Sequence, residues 1–222
     1  MPNYITLADH EARRLAETGT LLVVRPVVPQ PTRINDDDDG TWEWRRAGEY
    51  YDDLVLYTVI KDANPLGAPG DVLLCKETWL HTGLGYKYRV SDPQWGKTCH
   101  WRPASTMPAW AVRFRSVVCE AGAMRAGDMT EEHLRDTGIA PDMEDSGGTD
   151  MAGQWVEVPH YGPAFAAYWN RRFRKYPWES NPWVWTAWVE TPEAAARDEW
   201  AQREADKRRA MLEDMWWEEQ NA

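Results

Sequence analysis

The order of elements along the chain predicts an α+β fold built around a small β-barrel. Three observations carry it. The elements run helix, strands, helix, helix, strand, helix, without βαβ repeats. The strand-like segments are short and punctuated by Gly and Pro. The chain, 222 residues with 43 % hydrophobic content, is long and apolar enough for one large domain with insertions.

Each element has its own signal. In "LADHEARRLAET" (7–18), Leu7, Ala8, Glu11, Ala12 and Leu15 recur at helical spacing, and Gly19 supplies the stop. "LLVVRPVVPQ" reads as a buried strand broken by Pro26 and Pro29. "RINDDDDG" is an acidic, solvated loop, and "TWEWRR" and "DDLVLYTVI" read as paired strands, with Trp42 and Trp44 on one face. A turn cluster, "NPLGAPGD", leads into the strand "DVLLCKETW".

Residues 81–109 are loop-rich, and "AVRFRSVVCE" is a strand with Val112, Phe114 and Val118 on one face. "DMTEEHLRDTGI" is a helix with Asp128 or Thr130 as N-cap and Gly138 at its end. "GPAFAAYWNRRFRKY" is amphipathic, with Phe165, Tyr168, Trp169 and Phe173 inward, and "NPWVWTAWVE" is a strand with Trp183 and Trp185 on one face. From Thr191 an acidic helix, 191–222, is appended to the body, 1–190, whose insertions fall at 33–50, 81–105 and 140–160.

Composition narrows the function. A net charge of −11 opposes nonspecific coating of nucleic acid, which needs a basic surface to displace counterions, but it permits a pocket for one base or an acidic face for a basic protein. The 15 Trp exceed ordinary usage, so some are expected in a groove while most fill core. Cys75, Cys99 and Cys119 have no CxxC spacing, which gives no zinc signature, and their odd number fits a reducing cytoplasm; the adjacent Cys99 and His100 form no ligand set by themselves. Neither a signal-peptide pattern nor a membrane-length apolar run is present, so a soluble, cytoplasmic protein without a membrane partner is expected. GxGxxG, GxxxxGK[ST], GxSxG and HExxH are absent.

The strand at 72–77 carries the main candidate. Alternation puts Leu73, Cys75 and Glu77 on one face and Val72, Leu74 and Lys76 on the other. An inward Glu77 needs donors or a cation, and Arg25 and Arg113 are the candidate partners. Glu77 then either accepts from the amine or ring N–H of a base, or closes the barrel as a structural ion pair. Trp79, Trp101 and Trp110 flank it as stacking candidates or as core, and Arg102 sits in a loop where it would meet phosphate or solvent.

"GAPGDVLLCKETW", "HWRPASTMPAWAVRFRSVV", "DMTEEHLRDTGI", "NPWVW" and "VVRPVVPQP", taken in order and spacing over roughly residues 5–190, resemble phage-encoded proteins of the ASCH superfamily. The resemblance implies a PUA-like β-barrel and a module that binds RNA, a modified nucleotide or a flipped base, in a phage-infected or lysogenic bacterial host. On that reading Arg25, Lys76, Glu77, Trp79, Trp101, Arg102, Trp110 and Arg113 form the nucleotide site, with no metal or cofactor.

One branch of similar fold is an amidohydrolase acting on an N4-acylated cytidine. Its Lys, Thr and Glu fall here on Thr20, Val23 and Thr137, which lack the nucleophile and proton donor that amide hydrolysis requires, so no catalytic residue is assigned. Inhibition of a host defence factor through the acidic surface is the alternative of a different class, and an amidohydrolase with a relocated site comes after it.

Overall fold

The structure is a computed structural model that describes residues 3–34, 41–47, 49–142 and 159–197, with short pieces at 148–149, 151 and 154–156. In chain order its elements are β1 (Asn3–Thr6), α1 (Asp9–Thr18), β2 (Thr20–Pro26), β3 (Thr32–Arg33), β4 (Trp42–Trp44), β5 (Glu49–Tyr51), α2 (Asp53–Asp62), β6 (Val72–Lys76), β7 (Trp79–Thr82) and β8 (Gly85–Tyr88). They continue with β9 (Phe114–Arg125), α3 (Glu131–Asp136), β10 (Gly148–Thr149), β11 (Trp155–Val156), α4 (Gly162–Arg172) and β12 (Trp183–Glu190). Residues 192–197 open a further helix, the described part of the predicted C-terminal one; the rest of that segment and most of 143–158 lie outside the described residues.

Five strands form one mixed sheet in the order β1-β6-β9-β12-β2, with β1 parallel to β6 and every other pairing antiparallel. The sheet curls into an open half-barrel whose edges are β1 and β2. Side chains bridge that opening: the Arg25 Nη2 of β2 donates to the Thr6 carbonyl at the end of β1 (2.9 Å). A bulge where β9 passes Trp188 and Val189 leaves Cys119 without a register partner and bends the long strand, as an extra residue on one strand does. The architecture is thus α+β and barrel-like, as expected.

Both faces of the sheet are covered, so β2 and β12 read as almost unbroken apolar runs. On one face Leu21, Val23, Leu73, Cys75 and Trp185 pack with Leu15 of α1 and Leu56 and Ile60 of α2. On the other, Leu22, Val24 and Val184 meet Leu134 of α3 and Phe165 and Trp169 of α4. A smaller cluster of Leu74, Trp79, Met107 and Val112 lies under the 79–112 segment.

Three sequence expectations change, and one open alternative, the cap of α3, is decided. The segment "DDLVLYTVI" is the helix α2 and not a strand, and the partner of the Trp42–Trp44 strand is β5. Asp52 caps α2 by accepting from the Val55 N–H (2.8 Å), and Leu56 and Ile60, one turn apart, are the residues it buries. Val112 lies outside the strand, which begins at Phe114, and belongs to the smaller cluster. Within 81–109, read as loop-rich, residues up to Tyr88 belong to the β7–β8 hairpin, which starts at Trp79. The cap of α3 is Thr130, whose hydroxyl accepts from the His133 N–H (3.2 Å); Asp128 ends a preceding 3₁₀ turn. Strand β1 carried no signal of its own, since four residues at a chain end give no measurable period.

Candidate functional site

The antiparallel register Cys75↔Phe114 brings Glu77 and Arg113 together, each one or two residues beyond the paired stretch. Glu77 is 1 % exposed and faces inward with Leu73 and Cys75, as alternation predicts. Arg113 grips it at both oxygens, Nε to Oε1 at 2.6 Å and Nη2 to Oε2 at 3.0 Å, while its Nη1 donates to the Ser91 Oγ (2.7 Å). The guanidinium also lies over the rings of Tyr88 (4.4 Å) and Phe114 (4.5 Å). Burial pushes the Glu77 carboxyl above its usual range, and the hydrogen bonds and charge of Arg113 pull it partly back.

Arg25 is not a partner of Glu77. It pairs with Glu11, Nη1 to Oε1 at 2.6 Å and Nη2 to Oε2 at 3.1 Å, because the register of β2 aims it at α1. Burial alone would raise Glu11; the adjacent Arg25 charge and hydrogen bond hold it below the ordinary carboxylate range. The same Arg25 is itself held above its ordinary value by Glu11, against the effect of burial. Cys75 is buried in the same interior, its thiol pushed up to about 12 by burial, which leaves it protonated and inert. Both Glu77 oxygens are engaged and the side chain is sealed, so the half-barrel interior at this point is filled by ion pairs.

The remaining predicted residues divide. Trp79 is buried in the smaller cluster and donates its indole N–H to the Thr106 Oγ1 (3.2 Å), with the Arg102 guanidinium over its ring at 5.2 Å. Lys76 points outward and rests over the Tyr4 ring (4.7 Å). Trp101 is half-buried against Gly96, where an added Cβ would come within 2.6 Å of its Nε1. Trp110 is 77 % exposed and tethered by its indole N–H to the Tyr86 hydroxyl (2.7 Å). Val23 lies in the core, and the Thr137 hydroxyl donates to the Leu134 carbonyl (2.6 Å), so neither is arranged for acid–base work. Among the described residues no three His, Cys, Asp or Glu side chains gather as a metal site.

A cleft of about 500 Å³ opens beside the interior, at the start of α1 and against α4. Asp9 and His10 line it from α1, Tyr168, Arg171 and Arg172 from α4, and Arg89 from the segment after β8. Arg89 is ion-paired to Asp9, and Arg172 Nη2 donates to the Thr6 carbonyl (3.2 Å). The His10 ring packs edge-on against Tyr168, centroids 4.4 Å apart. Burial, aided by the Arg172 and Arg25 charges, lowers the His10 pKa against the opposing pull of Glu11 and Asp9, so the imidazole is neutral at pH 7. Burial likewise pushes the Tyr168 phenol up to about 12, so it is a hydrogen-bond donor throughout the physiological range.

Two polar atoms distinguish this cleft. Tyr168 is 8 % exposed, and its hydroxyl and the His10 Nε2 are both buried without a hydrogen-bond partner. The Arg172 guanidinium lies near that hydroxyl without forming a hydrogen bond of good geometry to it. A larger depression of about 520 Å³, between the end of α1, Arg113 and residues 191–197, is lined by none of the buried unpartnered atoms found among the described residues. A third, of about 480 Å³, is built on Asn64, whose amide already donates to the Gly122 and Thr186 carbonyls. Sequence reasoning missed His10, Tyr168, Arg89, Arg171 and Arg172 as a group. The one available signal was the basic run "RRFRK" in an acidic chain, directly after an inward Tyr168.

No protein-family model matches the chain, nor does any curated protein or solved structure. No described helix is long and apolar enough to cross a membrane.

Proposed function

We propose that this protein is a binding module for a nucleotide or modified base, and that the ligand sits in the cleft formed by α1, α4 and Arg89. On this reading the half-barrel is the PUA-like barrel of an ASCH-type, phage-encoded module, as its motifs imply. The supporting observation is that three Arg side chains converge with a buried, unpartnered Tyr168 hydroxyl and His10 Nε2 on one concave site. A neutral imidazole and a phenol suit the mixed donor and acceptor edge of a base, and the surrounding guanidiniums suit its phosphate.

Glu77 enters this reading as support and not as the base reader. Its pair with Arg113 fixes the segment that carries Arg89, through Ser91 and Tyr88. The test is a thermal-shift screen of canonical and modified nucleosides and nucleotides against the intact chain. Stabilisation by at least one of them is expected. No shift with any of them, and none with short RNA or DNA, overturns the reading.

A further inference from the structure

Charge in this protein is distributed against the trend of its sequence. The chain carries −11 overall, yet the C-terminal end of α4 and the residues after it hold Arg171, Arg172, Arg174 and Lys175, all exposed. Arg171 has no hydrogen bond or ion pair among the described residues, while Arg172 is held by the Thr6 carbonyl and Arg89 by Asp9. Asp9 offsets the charge of Arg89, so Arg171 and Arg172, next to each other at the end of α4, leave a net positive rim that favours an anion.

Two residues that line the same cleft, His10 and Tyr168, carry polar atoms of a different kind. The Tyr168 hydroxyl and the His10 Nε2 are neutral, buried and unsatisfied. Leaving such groups unpaired costs free energy that a suitably placed ligand atom recovers. The cleft therefore joins charged lining residues, Arg89, Arg171 and Arg172, to two lining residues, His10 and Tyr168, that each carry a buried, unpaired and neutral polar atom. Its volume, about 500 Å³, is that of a site for one small molecule. No long basic track, of the kind that follows a polynucleotide backbone, is expected of so acidic a chain.

We infer that the ligand of this cleft is a single nucleotide bearing a phosphate monoester. The terminal phosphate binds Arg171 and Arg172, whose planar forks match its oxygens, while Arg89, held in place by Asp9, bounds one side. The sugar or base edge takes the Tyr168 hydroxyl and the His10 Nε2. This inference rests on the proposed nucleotide-binding role and names the ligand form within it.

Calorimetric titration of the full chain with the four nucleosides, their 5′-monophosphates, inorganic phosphate and the corresponding dinucleoside monophosphates tests it. At least one 5′-monophosphate is expected to bind ten-fold or more tightly than its nucleoside and than inorganic phosphate. Arg171→Ala, at an exposed position, should reduce that preference to about two-fold, and Tyr168→Phe should weaken the monophosphate at least five-fold. A circular-dichroism melt of each variant establishes that it is folded.

Nucleosides that bind as tightly as their monophosphates overturn the monoester assignment and leave the base-binding role standing. So does tighter binding of the dinucleoside monophosphates, whose phosphodiester has no terminal dianion. Inorganic phosphate binding as tightly as any nucleotide reduces the cleft to a plain anion site. If nothing binds here, nor in the wider screen with RNA and DNA, both readings fall together.

Discussion

Arg113 and Glu77 meet through two parallel hydrogen bonds, 2.6 and 3.0 Å, with the carboxylate sealed and the guanidinium sandwiched between the rings of Tyr88 and Phe114. Such a pair contributes little net stability relative to apolar residues of similar volume, but breaking one side of it strands a charge. Arg113→Met should therefore destabilise the fold by about 3 kcal/mol, the low end for a buried pair because Arg113 keeps 28 % exposure. The double variant with Glu77→Met should recover a large part of that loss, as read by urea unfolding of the four members of the cycle.

Stability should respond to pH through groups of opposite sign. His10 titrates in the fold below the ordinary imidazole value of 6.5, so its contribution is complete above 6.5 and is lost as pH falls beneath it. Glu77 titrates in the fold above the ordinary carboxyl value of 4.5, so its protonation as pH falls favours the folded state and offsets part of the His10 loss. Urea unfolding at pH 7.5, 6.0 and 5.0 should show a shallower acid-side decline for His10→Gln than for the natural chain, and a steeper one for Glu77→Gln.

The helix α2 makes two leucines, two positions apart, unequal. Leu56 is fully buried beside Trp185, whose indole N–H donates to the Ile60 carbonyl (2.9 Å), whereas Leu54 is exposed. Leu56→Ala should cost about 2–5 kcal/mol and Leu54→Ala about 0.5 kcal/mol or less, measured by chemical denaturation. A strand over these residues would put both side chains on one face and make the two costs alike.

Gly138 ends α3 with φ at +80°, and a Cβ there would fall 2.5 Å from the Arg14 Cβ and 2.7 Å from the His10 carbonyl. Both the backbone conformation and the contact oppose any side chain. Gly138→Ala should lower stability by about 2 kcal/mol or more in a thermal melt, and it should also disturb the cleft, because the clash is with His10 itself.

Where local pattern and burial agree, the sequence is legible. The α1 spacing, the inward set Leu73, Cys75 and Glu77, and the paired Trp183 and Trp185 all appear as alternation or helical period requires. It misled at α2, where Leu54, Leu56 and Ile60 satisfy a strand's period while only Leu56 and Ile60 share a helical face, and the cap at Asp52 marks the helix. The candidate cleft was illegible for a different reason. His10 and Tyr168 are 158 positions apart, and each reads alone as an ordinary helical residue. Only the packing of α4 across the open edge of the sheet, beside α1, brings them into ring contact. Likewise Arg25 and Arg113 were equivalent partners for Glu77 by sequence, and strand register divided them.

The claim that the ligand occupies the cleft, and not the half-barrel interior, is tested most directly at the His10 ring. Long-range ¹H–¹⁵N spectra should be recorded while the 5′-monophosphate that most stabilises the protein is titrated in. A saturable shift of the His10 imidazole nitrogens is expected, with those of His81, His100 and His133 unmoved. Saturated binding with the His10 resonances unchanged would contradict it.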